Sequence, residues 1–278
     1  MPQLKLDDDN ALFYEHHAPR DNAAQDGARP TFVFVNALTG NTQHWEAAVA
    51  PALRAEGFGT LVYNFRGQDS SPFTPGLALT PTLIIDDLKT LMAQLAPARP
   101  VLVGLSIGGL FAAHAILQGT PATGLVLLNT LRRIGPRIAW VNDALPVIAK
   151  AGGVGLLMDA MLPLLTNQEF AAKARAGALT GAYEPLATDH GHYGLMAHAS
   201  AADWDIAYEG LTLPTLVISG LQDRVFYDAE DVDALYARLP QASREDWPDA
   251  GHLLPLERPE ALAHSLAAFG HKLSTAAR

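Results

Sequence analysis

A chain of 278 residues with 49% hydrophobic side chains can bury a sizeable core in one large or two small domains. Its 19 basic against 29 acidic residues, a net charge of -10, repel nucleic-acid phosphates and anionic membrane surfaces, so neither is expected as a partner. The lack of cysteine excludes disulfides, thiol nucleophiles and cysteine-held metals. No apolar run approaches the roughly 18 residues of a membrane span. The opening MPQLKLDDDN has no signal-peptide pattern, so a cytoplasmic protein is expected.

After a polar N-terminal segment carrying His16 and His17, the first short apolar run bounded by breakers is Thr31 to Val35, a predicted strand. Helical spacing over Trp45 to Glu56 follows, then a strand at Thr60 to Tyr63, a helix at Pro81 to Leu95 and a strand at Val101 to Leu105. Gly108 to Gln118 is predicted as helix and Gly124 to Leu128 as strand. The rhythm then breaks, because from Leu131 to about Asp205 helical patterns run on with no convincing strand. An inserted helical cap at 131–205 explains this. Its Trp140, Met158, Met161, Met196 and Trp204 read first as the cap's own core and otherwise as substrate contacts. Alternation resumes with a strand at Thr215 to Ser219, a helix at Ala229 to Arg238, a more polar strand at Ser243 to Trp247 and a helix at Pro259 to Phe269. No repeat or low-complexity tract intervenes. The pattern predicts an α/β fold, a mostly parallel sheet flanked by helices and built from residues 1–130 and 206–278, with the cap inserted.

One stretch, VLVGLSIGGLFAAH at 101–114, sets Ser106 between a buried strand and an apolar helix. G-x-S-x-G in that context forces the serine into a strained turn that projects its hydroxyl, and Gly104 and Gly108 make the turn sterically possible. The alternative is an ordinary surface turn. A serine nucleophile needs a base and an acid to orient that base. His114, eight residues along the helix and so about 12 Å away, is too far. His16, His17, His264 and His271 read as surface residues. His252 stands in WPDAGHLLPLERPE just after the last predicted strand, at the sheet edge where doubly wound proteins place their chemistry. Asp223 follows the Thr215 strand in the same way, whereas Asp228, Glu230 and Asp231 open the next helix as caps or dipole partners. The backbone N–H of Ile107 is one expected oxyanion donor, and the loop NALTGNTQHW after the first strand supplies the other.

The order Ser106, Asp223, His252 and these placements resemble the α/β-hydrolase superfamily over nearly the whole chain. Asn36-Ala37-Leu38-Thr39-Gly40, the elbow Gly104 to Gly109, and NTLRRIGPRIAW from Asn129 to Trp140 resemble the 3-oxoadipate enol-lactonase-like branch. That resemblance implies Leu38 as the second oxyanion donor and suggests a substrate carboxylate received by one of Arg132, Arg133 and Arg137. Asn36, Trp140, Arg132 and Arg133 are the candidate substrate contacts, and the arginines have the alternative of pairing with surface acids. The departures are Ala37 and Thr39 in the loop and Asn64-Phe65-Arg66-Gly67-Gln68-Asp69-Ser70-Ser71 where D-x-R-G-x-G-x-S is common. The expected function is hydrolysis of a small-molecule carboxylic ester or lactone through an acyl-enzyme, without metal or cofactor. Thioester, amide or carbon-carbon bond cleavage and perhydrolysis use the same residues. A ligand receptor with little turnover is a second reading, and a metallohydrolase on Asp189 to His192 with His198 a third.

Overall fold

The computed structural model describes residues 2–20 and 29–275; residues 1, 21–28 and 276–278 of the expected core units lie outside this set. In chain order the strands are β1 (Gln3–Lys5), β2 (Ala11–His17), β3 (Thr31–Val35), β4 (Gly59–Tyr63), β5 (Pro100–Leu105), β6 (Gly124–Leu128), β7 (Thr215–Gly220) and β8 (Ala242–Trp247). The helices are α1 (Gln43–Glu46), α2 (Val49–Ala55), α3 (Pro81–Leu95), α4 (Ile107–Leu117), α5 (Pro136–Leu165), α6 (Gln168–Ala174), α7 (Gly191–His198), α8 (Ala229–Tyr236), α9 (Leu254–Glu257) and α10 (Pro259–Thr275). All strands join one sheet in the order β1-β2-β4-β3-β5-β6-β7-β8. From β4 to β8 neighbours run parallel, while β1 with β2 and β2 with β4 are antiparallel. The expected six strands are all present, and the antiparallel pair at the edge is additional. His16 is thus a half-buried residue of β2 and not part of an irregular tail.

Strand alternation sorts the core into two layers. Val33, Val35, Leu102, Leu125, Leu127 and Val217 face one side, where Ile84, Leu88, Leu110, Phe111 and Val232 of α3, α4 and α8 cover them. Phe32, Phe34, Val101, Val103, Val126 and Ile218 face the other, against Trp45, Leu53, Leu262, Leu266 and Phe269 of α1, α2 and α10. The helix expected over Trp45 to Glu56 is broken at Ala48, whose φ of -153° is not helical. Between β6 and β7 the chain forms helices and turns with no strand. Its longest member, α5, is long and apolar enough to cross a membrane by length and composition alone, a run that residue-by-residue reading of the sequence does not single out. Gly152 and Gly153 leave helical geometry in its middle, so it is two helices meeting at a kink and not one straight rod.

Every parallel strand ends at the same edge. Val35 lies beside Gly104, Leu105 beside Leu128, Leu128 beside Ile218, and Gly220 beside Trp247. The loops that follow β3, β5, β6, β7 and β8 therefore converge.

One buried ion pair fastens the loop after β4 to α3. Arg66 donates through Nη2 and Nε to the two oxygens of Asp87 at 2.6 and 3.0 Å. Both residues are buried. Burial pushes the Asp87 carboxyl upward and the Arg66 contacts only partly oppose it. Breaking such a pair from one side leaves an uncompensated buried charge. Arg66→Met is expected to lower the unfolding free energy at pH 7 by about 3–5 kcal/mol in urea titrations, and Arg66→Met with Asp87→Leu to recover much of it. Because the folded state favours the neutral carboxyl, the loss in the single variant should shrink as pH is lowered into the range where that carboxyl protonates.

Candidate active site

Ser106 has φ 59° and ψ -123°, a left-handed conformation strained for a residue with a β-carbon. Sterics around it explain why the turn is held. A β-carbon on Gly104 would meet the Gly109 backbone, one on Gly108 would meet the carbonyls of Val35 and Asn36, and one on Gly109 would meet Thr130. Strand, elbow and helix thus touch backbone to backbone. The Ser106 N–H donates to the Leu128 carbonyl at 2.8 Å, and the Thr130 hydroxyl to the Ser106 carbonyl at 3.1 Å. Ile107 opens α4, where the first N–H groups have no intrahelical acceptor and the positive end of the helix faces the serine.

Asp223 and His252 come from the loops after β7 and β8 and are both buried. The His252 Nδ1 to Asp223 Oδ2 distance is 2.6 Å, and Asp223 Oδ1 accepts from the N–H groups of Val225 and Phe226, each at 3.0 Å. Burial pushes the Asp223 carboxyl up, but His252 and these two N–H groups more than offset it and hold the acid below the usual carboxylate range. Asp228, the competing acid, caps α8 through the N–H groups of Glu230 and Asp231. Ser106 and His252 line one cavity with Leu38, Thr39, Leu145, Leu157, Met158, Met161, Met196 and Phe226.

The remaining candidates divide. Asn36 lies beneath the cavity with its side chain consumed internally: Nδ2 donates to the Tyr63 carbonyl at 2.9 Å and to Gln68 Oε1 at 3.1 Å, and Oδ1 accepts from Trp45 Nε1 at 2.8 Å. Trp140 stands on the outer surface of α5, 79% exposed, away from the cavity, and so does not make the substrate contact expected of it. Arg133 is exposed and pairs with Asp231 at 3.3 Å. Arg132 turns inward, and its Nη2 donates to the Ser106 hydroxyl at 2.7 Å. Met158, Met161 and Met196 face the cavity, whereas Trp204 stacks on Arg132. His190 and His192 stack on each other with ring centroids 5.7 Å apart, while His198 Nδ1 contacts the Gly194 carbonyl.

Three polar residues hold the converging loops, and sequence reading singled out none of them for that work. Gln68 donates to the carbonyls of Ala37 and Leu38 at 2.9 and 3.1 Å and accepts from Asn36 and Phe65. Asn129, with φ 48°, donates to the carbonyls of Gly251 and His252 and accepts from the Gly220 N–H. Glu257 accepts from the N–H groups of Asn167, Gly251 and Leu253 at 2.7 to 2.8 Å. Their only sequence signal is position, each within a few residues of a strand end or of His252.

A family profile of alpha/beta hydrolases matches residues 32–265. The chain belongs to the alpha/beta hydrolase family. BpoC of Mycobacterium tuberculosis, which carries the name non-heme bromoperoxidase, is 28% identical over 259 residues, 87% of this chain and 94% of that protein. The crystal structure of the enol-lactonase from Burkholderia xenovorans LB400 superposes with a TM-score of 0.73 at 25% identity, covering 94% of this chain and 96% of that one. A thermophilic esterase from Thermogutta terrifontis gives 0.76 at 24% identity, covering 96% and 95%. The alpha/beta hydrolase fold and a hydrolase assignment rest on these likenesses together.

In this hydrolase Gln68 Nε2 holds the carbonyls of Ala37 and Leu38, the former shared with the Gly40 N–H, and so helps to set the direction of the neighbouring N–H groups. Gln68→Met should therefore lower kcat about 10- to 100-fold in a steady-state ester assay, with KM and the circular-dichroism spectrum little changed.

Proposed function

We propose that this chain is a serine hydrolase that cleaves a small carboxylic ester or lactone through an acyl-enzyme. The observation that carries the reading is that a strained Ser106 and His252, whose Nδ1 is held by the buried Asp223, line the same cavity. In this reading His252 takes the Ser106 proton as Oγ attacks the acyl carbon, and Asp223 fixes the tautomer and stabilises the imidazolium. The backbone N–H groups of Leu38 and Ile107 receive the oxyanion. His252 then returns the proton to the leaving alkoxide, and a water activated by the same histidine releases the acid. The helices of 131–205 act as a cap that supplies the acyl side of the cavity.

The cavity bears on the substrate. Leu145, Leu157, Met158, Met161 and Met196 give its helical wall, and among the described lining residues none is lysine or arginine. An apolar acyl chain of modest length fits such a wall better than a carboxylate does. The Burkholderia enol-lactonase supports a lactone as one form of that substrate. Thioester, amide and carbon-carbon bond cleavage stay within reach of the same residues, and a comparative rate screen over p-nitrophenyl esters, lactones, thioesters and amides separates them.

Ser106→Ala should lower kcat about 10⁴- to 10⁶-fold on a p-nitrophenyl ester and abolish labelling by a fluorophosphonate, with folding unchanged. Retained turnover in that variant would exclude the mechanism, and a wild-type protein without multiple turnover would favour the receptor reading. Asp223→Asn should cost about 10⁴-fold in kcat. Asp228→Asn, which touches only the helix cap, should leave kcat nearly unchanged in the same assay.

A further inference from the structure

Arg132 is a cation in an unusual place. It is 3% exposed, and its guanidinium lies between two rings, 4.5 Å from the Trp204 centroid and 4.4 Å from that of Phe226. Besides the Ser106 hydroxyl, its donors meet the carbonyls of Asn129 at 2.9 Å and Thr130 at 3.4 Å. Among the described residues no carboxylate forms an ion pair with it. Burial lowers its pKa to about 10, partly opposed by the charge of Asp223, so it remains cationic at neutral pH. The rings and two carbonyls give partial compensation for lost hydration. A guanidinium fixed in this way, whose shortest bond is to the Ser106 hydroxyl, is suited to a charge that arises on that oxygen.

We propose that Arg132 is a catalytic residue of the deacylation half-reaction, donating to Ser106 Oγ as that oxygen departs from the acyl carbon. The inference rests on the serine-hydrolase reading and deepens it. In deacylation, water adds to the acyl carbonyl while His252 removes its proton, giving a tetrahedral centre with its oxyanion on the Leu38 and Ile107 N–H groups. The C–Oγ bond then breaks, its electron pair goes to Oγ, and His252 delivers the proton that restores the serine. Arg132 keeps its own protons throughout. Its contribution is a charge-assisted hydrogen bond that strengthens as Oγ becomes alkoxide-like.

The two half-reactions use that bond differently. During acylation a donor on Oγ favours the alkoxide but withdraws electron density from the attacking oxygen, so the effects oppose. During deacylation the same donor only stabilises the leaving group. Loss of the donor should therefore retard deacylation far more than acylation.

The test is stopped-flow hydrolysis of p-nitrophenyl acetate by the full-length wild type, Arg132→Met and Arg132→Lys, with intact-mass analysis of quenched samples. Arg132→Met, close in volume to the buried stem, should show a burst of p-nitrophenolate approaching one equivalent per protein and an acetyl adduct at Ser106. Its steady-state kcat should fall about 100-fold or more, and KM should fall with it because the slow step now follows acylation. Arg132→Lys should recover part of kcat and shrink the burst. Loss of burst rate and steady state in equal measure, or a rise in KM without an adduct, would overturn the proposal and leave Arg132 a packing residue. Should the methionine variant not fold, the lysine variant decides alone: a slowed steady state with an adduct supports deacylation, and equal losses overturn it. Fluorophosphonate labelling of wild-type Ser106 separates the two levels of inference, since an unlabelled wild type sinks the serine reading itself.

Discussion

Ser106 keeps its left-handed backbone because three segments crowd against it, with glycine in place of any side chain at 104, 108 and 109. Gly104 lies against Gly109, Gly108 lies under the carbonyls of Val35 and Asn36, and Thr130 abuts Gly109. A β-carbon at any of these glycines would have to displace main chain or Thr130, and displaced main chain at this point means a shifted strand. The position of Ser106 is accordingly a property of sheet register. β5 is paired with β3 on one side and β6 on the other, so the loops after all three strands start from heights fixed by hydrogen bonds. The first turn of α4 can then meet the 36–40 loop closely enough for both to address the same small volume.

A second layer of constraint is polar. Asn129 joins the loop after β6 to the Gly220 N–H on one side and to the carbonyls of Gly251 and His252 on the other. Glu257 ties the His252 loop to Asn167 at the foot of the helical insertion, and the His252 N–H itself donates to the Leu165 carbonyl at 2.6 Å. The backbone of His252 is thereby tied to residues 165–167 of the helical segment. The loops that carry Asp223 and His252 are thus held by polar side chains that each make several hydrogen bonds.

Asp223 and His252, singled out as ionisable residues just past strand ends, are in contact in the structure. The six parallel strands and the turn at Ser106 were legible because each obeys a local rule, apolar runs bounded by breakers and glycines flanking a serine. The edge pair β1 and β2 was not, since ALFYEHH mixes polar and apolar residues on a strand whose outer positions face solvent. The break at Ala48 and the Gly152–Gly153 kink were also hidden, because helical periodicity continues on both sides of each. Gln68, Asn129 and Glu257 escaped for a different reason. A buried amide or carboxylate that satisfies loop N–H and carbonyl groups has the same sequence appearance as one facing water. Trp140 shows the converse, a large aromatic on a helix whose outer face is 79% open at that residue.

Phe226 meets three of these residues. Its N–H bonds Asp223, and its ring lies 4.9 Å from the His252 ring and 4.4 Å from the Arg132 guanidinium. One side chain thus separates the cation that meets Ser106 from the imidazole held by Asp223. Without such a wall, water between them would screen both charges, and the field at the Ser106 oxygen would fall toward its solution value. With it, the charges of Asp223 and Arg132 partly offset each other while each bonds a different partner, Asp223 the imidazole of His252 and Arg132 the hydroxyl of Ser106. Net burial of one positive and one negative charge is less costly than burial of either alone. Arg132 therefore depends in part on Asp223 for its tolerance at this depth, with the ring of Phe226 packed between the cation and the imidazole that Asp223 holds.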